Sequence, residues 1–274
     1  LALSLDGAEA KTHDAVRGFE GTFATTLRAM VDARELGIPL QINTVLTKHN
    51  LREIEPLARR LGREGIVLWS VFFLVPTGRA AADRRLAPEQ YEEAFALLRR
   101  ESRRQPYAIK TTEAPHYRRY VLEADGAGAA RARIGVPTSS VVPPPPRAPL
   151  GANDGKGVMF IGHTGQIYPS GFLPLLAGTF PEHSPVEAYR DAAVFRALRD
   201  PDLLQGKCGR CEYRQLCGGS RARAFALTGS ALAEEPDCTY QPRSDAPRPR
   251  EVPPPRVRGL ERRLPTLPPE PTRP

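Results

Sequence analysis

Four cysteines, Cys208, Cys211, Cys217 and Cys238, occupy one window with the spacing C-x2-C-x5-C-x20-C, and the 274 residues contain no others. Two thiolates separated by two residues turn back onto one face of a metal centre, and a later cysteine closes the site. A segment tied in this way can fold only as a small, loop-rich unit around its centre. Gly206, Gly209, Gly218 and Gly219 flank the cysteines and let the backbone pass close to a bulky inorganic core. The spacing leaves three occupants open: one zinc ion held by four thiolates, a four-iron, four-sulfur [4Fe–4S] cluster, or disulfides. The five-residue second gap departs from the short repeated knuckle of zinc ribbons and leans toward iron.

Upstream, strand and helix periods alternate. Residues 1–6 alternate apolar positions and are predicted as a strand, with 7–17 as a polar loop. Phe23, Leu27, Met30 and Val31 share one face of a predicted helix over 21–36, which Gly37 ends. A second strand is predicted over 39–47. Asn50 with Glu53 three residues on reads as an N-cap pair opening a helix that turns Leu57 and Leu61 inward, with Pro56 marking a kink or restart. Residues 66–75 are apolar almost throughout, as in a strand buried on both faces. Pro88 stands in the first turn of a helix striped by Tyr91, Phe95 and Leu98, and 107–112 is a short strand candidate. This βαβαβ order predicts an α/β fold with a parallel sheet or barrel, and three or four strands fall short of a closed eight-stranded one.

Glycine, alanine and a four-proline run mark 126–155 as a linker, and the proline- and arginine-rich 243–274 reads as a disordered tail. Between them, 156–162 and 166–169 form a predicted hairpin around His163-Thr164-Gly165, and a helix over 185–199 leads to the cysteines. The domains are therefore expected at 1–125 and 156–242. The net charge of +8 comes from arginines scattered over helix faces and the tail, with few aromatic residues interleaved. That pattern suits solvated faces, or an anionic substrate, better than nucleic acid. No stretch approaches the roughly 20 apolar residues of a membrane span, so no membrane partner and a cytoplasmic location are expected. The first residue, Leu1, falls inside a strand pattern, so the natural chain is expected to extend upstream, and a leader stays open.

The stretch Gly206-Lys207-Cys208-Gly209-Arg210-Cys211-Glu212-Tyr213-Arg214-Gln215-Leu216-Cys217-Gly218-Gly219-Ser220, closing at Pro236-Asp237-Cys238, is similar to the SPASM domain of radical S-adenosylmethionine (SAM) proteins. Serine after the double glycine resembles the branch containing heme and heme d1 biosynthesis enzymes. The resemblance covers roughly 156–242 and implies that Cys208, Cys211, Cys217 and Cys238 hold an auxiliary [4Fe–4S] cluster. Many SPASM domains carry a further cysteine after a hairpin Tyr-Pro, serving a second auxiliary cluster. Here Ser170 follows Tyr168-Pro169, which implies a single one.

Leu3-Ser4-Leu5-Asp6-Gly7, with His13-Asp14 and Arg17-Gly18, resembles the fourth strand and following loop of the radical SAM partial barrel. Ile42-Asn43-Thr44-Val45 resembles the fifth strand, and the run from Phe72 to Arg79 the end of the sixth. The implied fold is half of a partial TIM-type barrel followed by a small cysteine-rich domain. By resemblance Ser4 faces the ribose of SAM, Arg17 stands near its carboxylate, and Asn43 and Val75 line the same pocket. Without the resemblance, Ser4 is a tolerated strand residue and Arg17 a brace for its loop, whereas Asn43 is an amide that needs a partner. The C-x3-C-x2-C loop that leaves one iron open to the cofactor does not occur in these residues. The chain as given is therefore expected to need a missing N-terminal barrel half, and not to cleave SAM alone. The implied substrate is a tetrapyrrole or a ribosomally made peptide, with Arg210, Arg214, Arg221 and Arg223 suited to its carboxylates. The alternative is a non-enzymatic zinc module with a basic tail for partners.

Overall fold

In the computed structural model the described residues are 1–78, 84–125 and 152–243. Most of the expected linker, Arg79 and the expected tail from 244 on lie outside them. Strands β1 (Ala2–Ser4), β2 (Gln41–Leu46), β3 (Leu68–Phe73) and β4 (Ala108–Thr112) lie side by side in chain order, all parallel. Parallel neighbours need long crossovers. Helices α1 (Ala10–Arg17) and α2 (Thr22–Glu35) supply the first, α3 (Ile54–Arg63) the second and α4 (Pro88–Ser102) the third, while α5 (His116–Asp125) follows β4.

Register divides the sheet into two faces. Ile42 pairs with Trp69 and Leu46 with Phe73, and these side chains are buried with Met30, Leu57, Leu61, Phe95 and Leu98 from the helices. Within that core Trp69 Nε1 donates to Thr44 Oγ1 (2.8 Å), whose hydroxyl donates to the Leu5 carbonyl (2.6 Å). The alternate positions form the other face. One row there runs Ser4, Asn43, Ser70, Lys110, and the next runs Val45, Phe72, Thr112.

Several local expectations change. Residues 10–17 are helix α1 and not loop, because His13 turns inward, where its Nδ1 accepts from the Asp6 amide (3.0 Å). Asn50 does not cap a helix with its side chain. Its Oδ1 accepts from the Thr47 amide and its Nδ2 donates to the carbonyls of Asp6 and Val45, all at 2.8 Å, tying together the ends of β1 and β2. A short 3-10 turn, Leu51–Glu53, then precedes α3. The helix expected over 185–199 is two, α6 (Pro185–Asp191) and α7 (Ala193–Arg199), broken by extended Ala192.

The hairpin of the second unit gains a third strand, giving the antiparallel order β5 (Phe160–Ile161), β6 (Gln166–Tyr168), β7 (Gly178–Thr179). Ile167, Leu173, Leu175, Phe195 and Leu198 form its core with Ala222 of α8 (Arg221–Thr228). Val75, just beyond β3, is packed into this second core.

A buried ionic seam joins the units. Arg223 is fully buried and grips Glu235 with two nitrogens (2.8 and 2.9 Å), while its third donates to the carbonyl of Glu113 (2.9 Å). Asp237, 3.1 Å from Arg223, accepts from Tyr91 Oη (3.0 Å) and pairs with Arg85 (2.8 Å). Removing one partner of such a set leaves uncompensated buried charge, which costs about 3–5 kcal/mol. Arg223→Met should therefore lower the urea unfolding free energy by about that amount, whereas Arg210→Met, on the exposed side, should change it by less than about 0.5 kcal/mol.

Candidate metal centre

Short segments present the cysteines. Cys208 sits in a single helical turn, Gly206–Gly209; Cys211 follows it, Cys217 precedes the double glycine, and Cys238 follows a turn. All four are free thiols and line one solvent-open cavity, together with His116, Arg119 and Lys207. Two of the sulfurs accept a backbone N–H: Glu235 N reaches Cys208 Sγ (3.2 Å) and Gly219 N reaches Cys217 Sγ (3.4 Å). The amides of Tyr213 and Tyr240 exert a weaker pull on Cys211 and Cys238. Gly219 is required here, since at φ 67° a Cβ would come within 2.7 Å of the Glu235 Cβ and 3.5 Å of Cys208 Sγ.

Burial pushes all four thiols above their ordinary range, Cys211 to about 11, against the pull of those N–H groups. A metal entering the cavity must therefore displace protons. Thiolates about 2.3 Å from one tetrahedral ion would stand roughly 3.8 Å apart. Among the described residues no three His, Cys, Asp or Glu side chains converge closely enough to share one ion. All four thiols open onto that one cavity, and a donor set of four thiolates suits a single zinc ion or an iron–sulfur core.

Charge around the cavity is mostly committed to the protein. Arg221 and Arg223 are buried, Arg221 donating to the carbonyls of Ala231 (2.9 Å) and Ala233 (2.6 Å), so neither is free for substrate carboxylates as the sequence suggested. Arg214 pairs with Asp202 (3.3 Å), which leaves Arg210 exposed. Glu235 is fully buried. Burial opposes its ionisation, but the Arg223 guanidinium overrides it and holds the carboxyl down to about 2.

Two residues of α5 reach the cavity from the sheet-bearing unit. His116 is buried between Tyr91 and Phe95, at ring separations of 5.2 and 4.9 Å, and burial pushes its ring down to about 3. Neither ring nitrogen has a hydrogen-bond partner among the described residues. Arg119 pairs with Glu92 and Glu123, while its Nε has no partner there either. Sequence reasoning passed over α5 because its buried face is polar. Ser170 is buried away from this cavity, its Oγ accepting from the Phe172 amide (3.3 Å).

The other singled-out residues lie outside the lining of the cysteine cavity. Ser4 and Asn43 are register partners on the open sheet face. Arg17 pairs with buried Asp6 (2.6 Å), whose other oxygen accepts from the Val45 amide (2.7 Å). Val75 lies in the second core, 5% exposed. Glu113 was not anticipated. It follows β4 in a left-handed conformation, φ 61°, and accepts from Ser220 Oγ (2.5 Å). Nothing in Thr111-Thr112-Glu113 signals this.

No family model matches the sequence. Across 245 residues, 88% of the chain, it is 41% identical to the AdoMet-dependent heme synthase of Methanosarcina barkeri, covering 68% of that protein. The chain belongs to the radical SAM/SPASM family. The heme synthase of Nitratidesulfovibrio vulgaris is 37% identical over 90% of the chain, and the PqqA peptide cyclase of Ruegeria pomeroyi 31% over 88%. The chain spans 66% and 60% of these two proteins. Streptococcus suis SuiB shares the fold, with a TM-score of 0.60 at 16% identity over 87% of this chain and 53 to 54% of that one. The family likeness thus extends over both units of this radical SAM chain.

Burial, reinforced by Asp154, pushes the Glu113 carboxyl up to about 8. The folded chain then keeps a proton that the unfolded chain has lost, so this contribution is full below pH about 4 and disappears as pH rises toward 8. Urea unfolding of Glu113→Gln between pH 5 and 8 should show a weaker alkaline loss of stability than the parent chain. Identical pH dependence in both would remove Glu113 as its source.

Proposed function

We infer that Cys208, Cys211, Cys217 and Cys238 hold an auxiliary [4Fe–4S] cluster, and that the protein acts with SAM on a tetrapyrrole of heme synthesis. The observation that carries the cluster is the meeting of four free thiols in one cavity, in a chain whose relatives are AdoMet-dependent enzymes. When bound, the cluster would supply a one-electron site beside the sheet. The tetrapyrrole is supported by the heme synthases at 37 to 41% identity, against 26 to 31% for the PqqA peptide cyclases. Those cyclases make a ribosomal peptide the second substrate class. A four-cysteine zinc module is not favoured.

On this reading residues 1–125 form half of a radical SAM barrel and 156–242 the SPASM domain. Ser4 and Asn43 would meet SAM on the open sheet face. Asn43 Oδ1 accepts from Gln41 Nε2 (2.7 Å), which leaves its own N–H groups to a ligand. Arg17 would act by holding the Asp6 loop, with its partly exposed guanidinium toward the cofactor carboxylate. Val75 would contribute backbone, its side chain being used in packing. Lys110, exposed at the end of the Ser4–Asn43 row, and Arg210 are the cations available to substrate carboxylates. The 274 residues hold no C-x3-C-x2-C loop, so the SAM-cleaving cluster is no part of what we assign to them. No helix among the described residues is long and apolar enough to cross a membrane.

Anaerobic reconstitution with iron and sulfide should give a brown protein with about four irons per chain and broad visible absorbance. Cys211→Ala should lose that iron, and Ser170→Ala should keep all of it. A colourless wild-type protein retaining zinc would sink the cluster assignment. Separately, titration with an iron porphyrin bearing propionates should shift its absorbance saturably. A signal that never saturates would turn the substrate assignment to peptides.

A further inference from the structure

The cavity is lined from two directions, and the sheet-bearing unit contributes His116 and Arg119. They lie three residues apart on α5 and therefore on one face of it. Both are at least 94% buried, and each holds nitrogens without a hydrogen-bond partner among the described residues: both ring nitrogens of His116 and Nε of Arg119. A buried N–H left unpaired costs roughly 1–3 kcal/mol. Packing does not require that cost. The contacts of His116 with Tyr91 and Phe95 are ring against ring, and phenylalanine would make them equally well. The other two nitrogens of Arg119 already have carboxylates, Glu92 and Glu123. Both side chains line the cavity that the four cysteines share. An iron–sulfur core there would present anionic sulfur, a hydrogen-bond acceptor.

We propose that His116 and Arg119 donate hydrogen bonds to the sulfurs of the cluster held by the four cysteines, and so tune its reduction potential from the sheet-bearing unit. This rests on the cluster assignment above. Donors to cluster sulfurs offset the negative charge that reduction adds and so raise the potential. The backbone N–H groups on the cysteines belong to the second unit, and α5 would add the control exerted by the first. In this role His116 and Arg119 touch the cluster, not the substrate.

The test uses the full chain, reconstituted anaerobically with iron and sulfide and assayed for both before anything else. A wild-type chain that retains neither overturns the cluster assignment, and this proposal with it. Given a bound cluster, His116→Phe keeps the aromatic packing and removes the donor, so its midpoint in a redox titration should fall below that of wild type. His116→Gln, which restores an N–H, should recover part of the shift. Arg119→Met should move the midpoint the same way. Equal midpoints for wild type and His116→Phe, at equal iron content, would overturn the proposal and leave the cluster assignment standing. Should His116→Phe fail to fold, wild-type protein labelled with 15N only in histidine decides the matter. Pulsed electron paramagnetic resonance of its reduced cluster should show a weak 15N coupling, since among the chain's five histidines only His116 lines the cavity. No such coupling means no such hydrogen bond.

Discussion

The cysteine-bearing segments are held in place by one buried carboxylate. Glu235 is gripped by Arg223, accepts from the amides of Ser220 (2.7 Å) and Asp237 (3.1 Å), and gives its own amide to Cys208 Sγ. It thus touches the stretch before Cys211, the stretch after Cys217 and the stretch before Cys238. None of these segments belongs to a long helix or a sheet that would fix it independently. Taking two charges out of water is expensive, and it is tolerated because the guanidinium is bidentate and every carboxylate oxygen is occupied. Substitution of glutamate by glutamine would keep the shape and lose the reason for it.

The same seam makes the cysteine-lined cavity a property of both units. Arg85 and Tyr91 come from the region of α4, and His116 and Arg119 from α5, yet they surround the last cysteine and its neighbour. Val75 crosses in the other sense, leaving the end of β3 to join the second core. Packing therefore does not stop at the boundary drawn in the sequence between the two units.

How much was legible follows from this. Parallel strand order, α2, α4 and the β5–β6 hairpin came from periodicity, because their cores are apolar and local patterns suffice. Cysteine spacing singled out four thiols that the fold brings to one cavity, because it needs no tertiary knowledge. The helices α1 and α5 were not seen, since their inward residues are His13, His116 and Arg119, which a hydrophobic period does not register. The arginines near the cysteines were misjudged for a related reason. Arg210 and Arg223 look alike in a sequence, and only the arrival of Glu235 and Glu113 from elsewhere separates a solvated side chain from one sealed inside.

The link between Arg85, Tyr91 and Asp237 spans 152 and 146 residues of chain. During synthesis the sheet and α4 leave the ribosome long before Asp237 does, and elements generally fold in the order in which they emerge. The dock for the last cysteine is therefore built early and waits. Cys238 reaches the other three only when Asp237 seats on that dock, near the end of the described chain. The gathering of all four thiols is thus a late event in the life of the nascent polypeptide, and a ribosome stalled before Asp237 would display three thiols with no fourth.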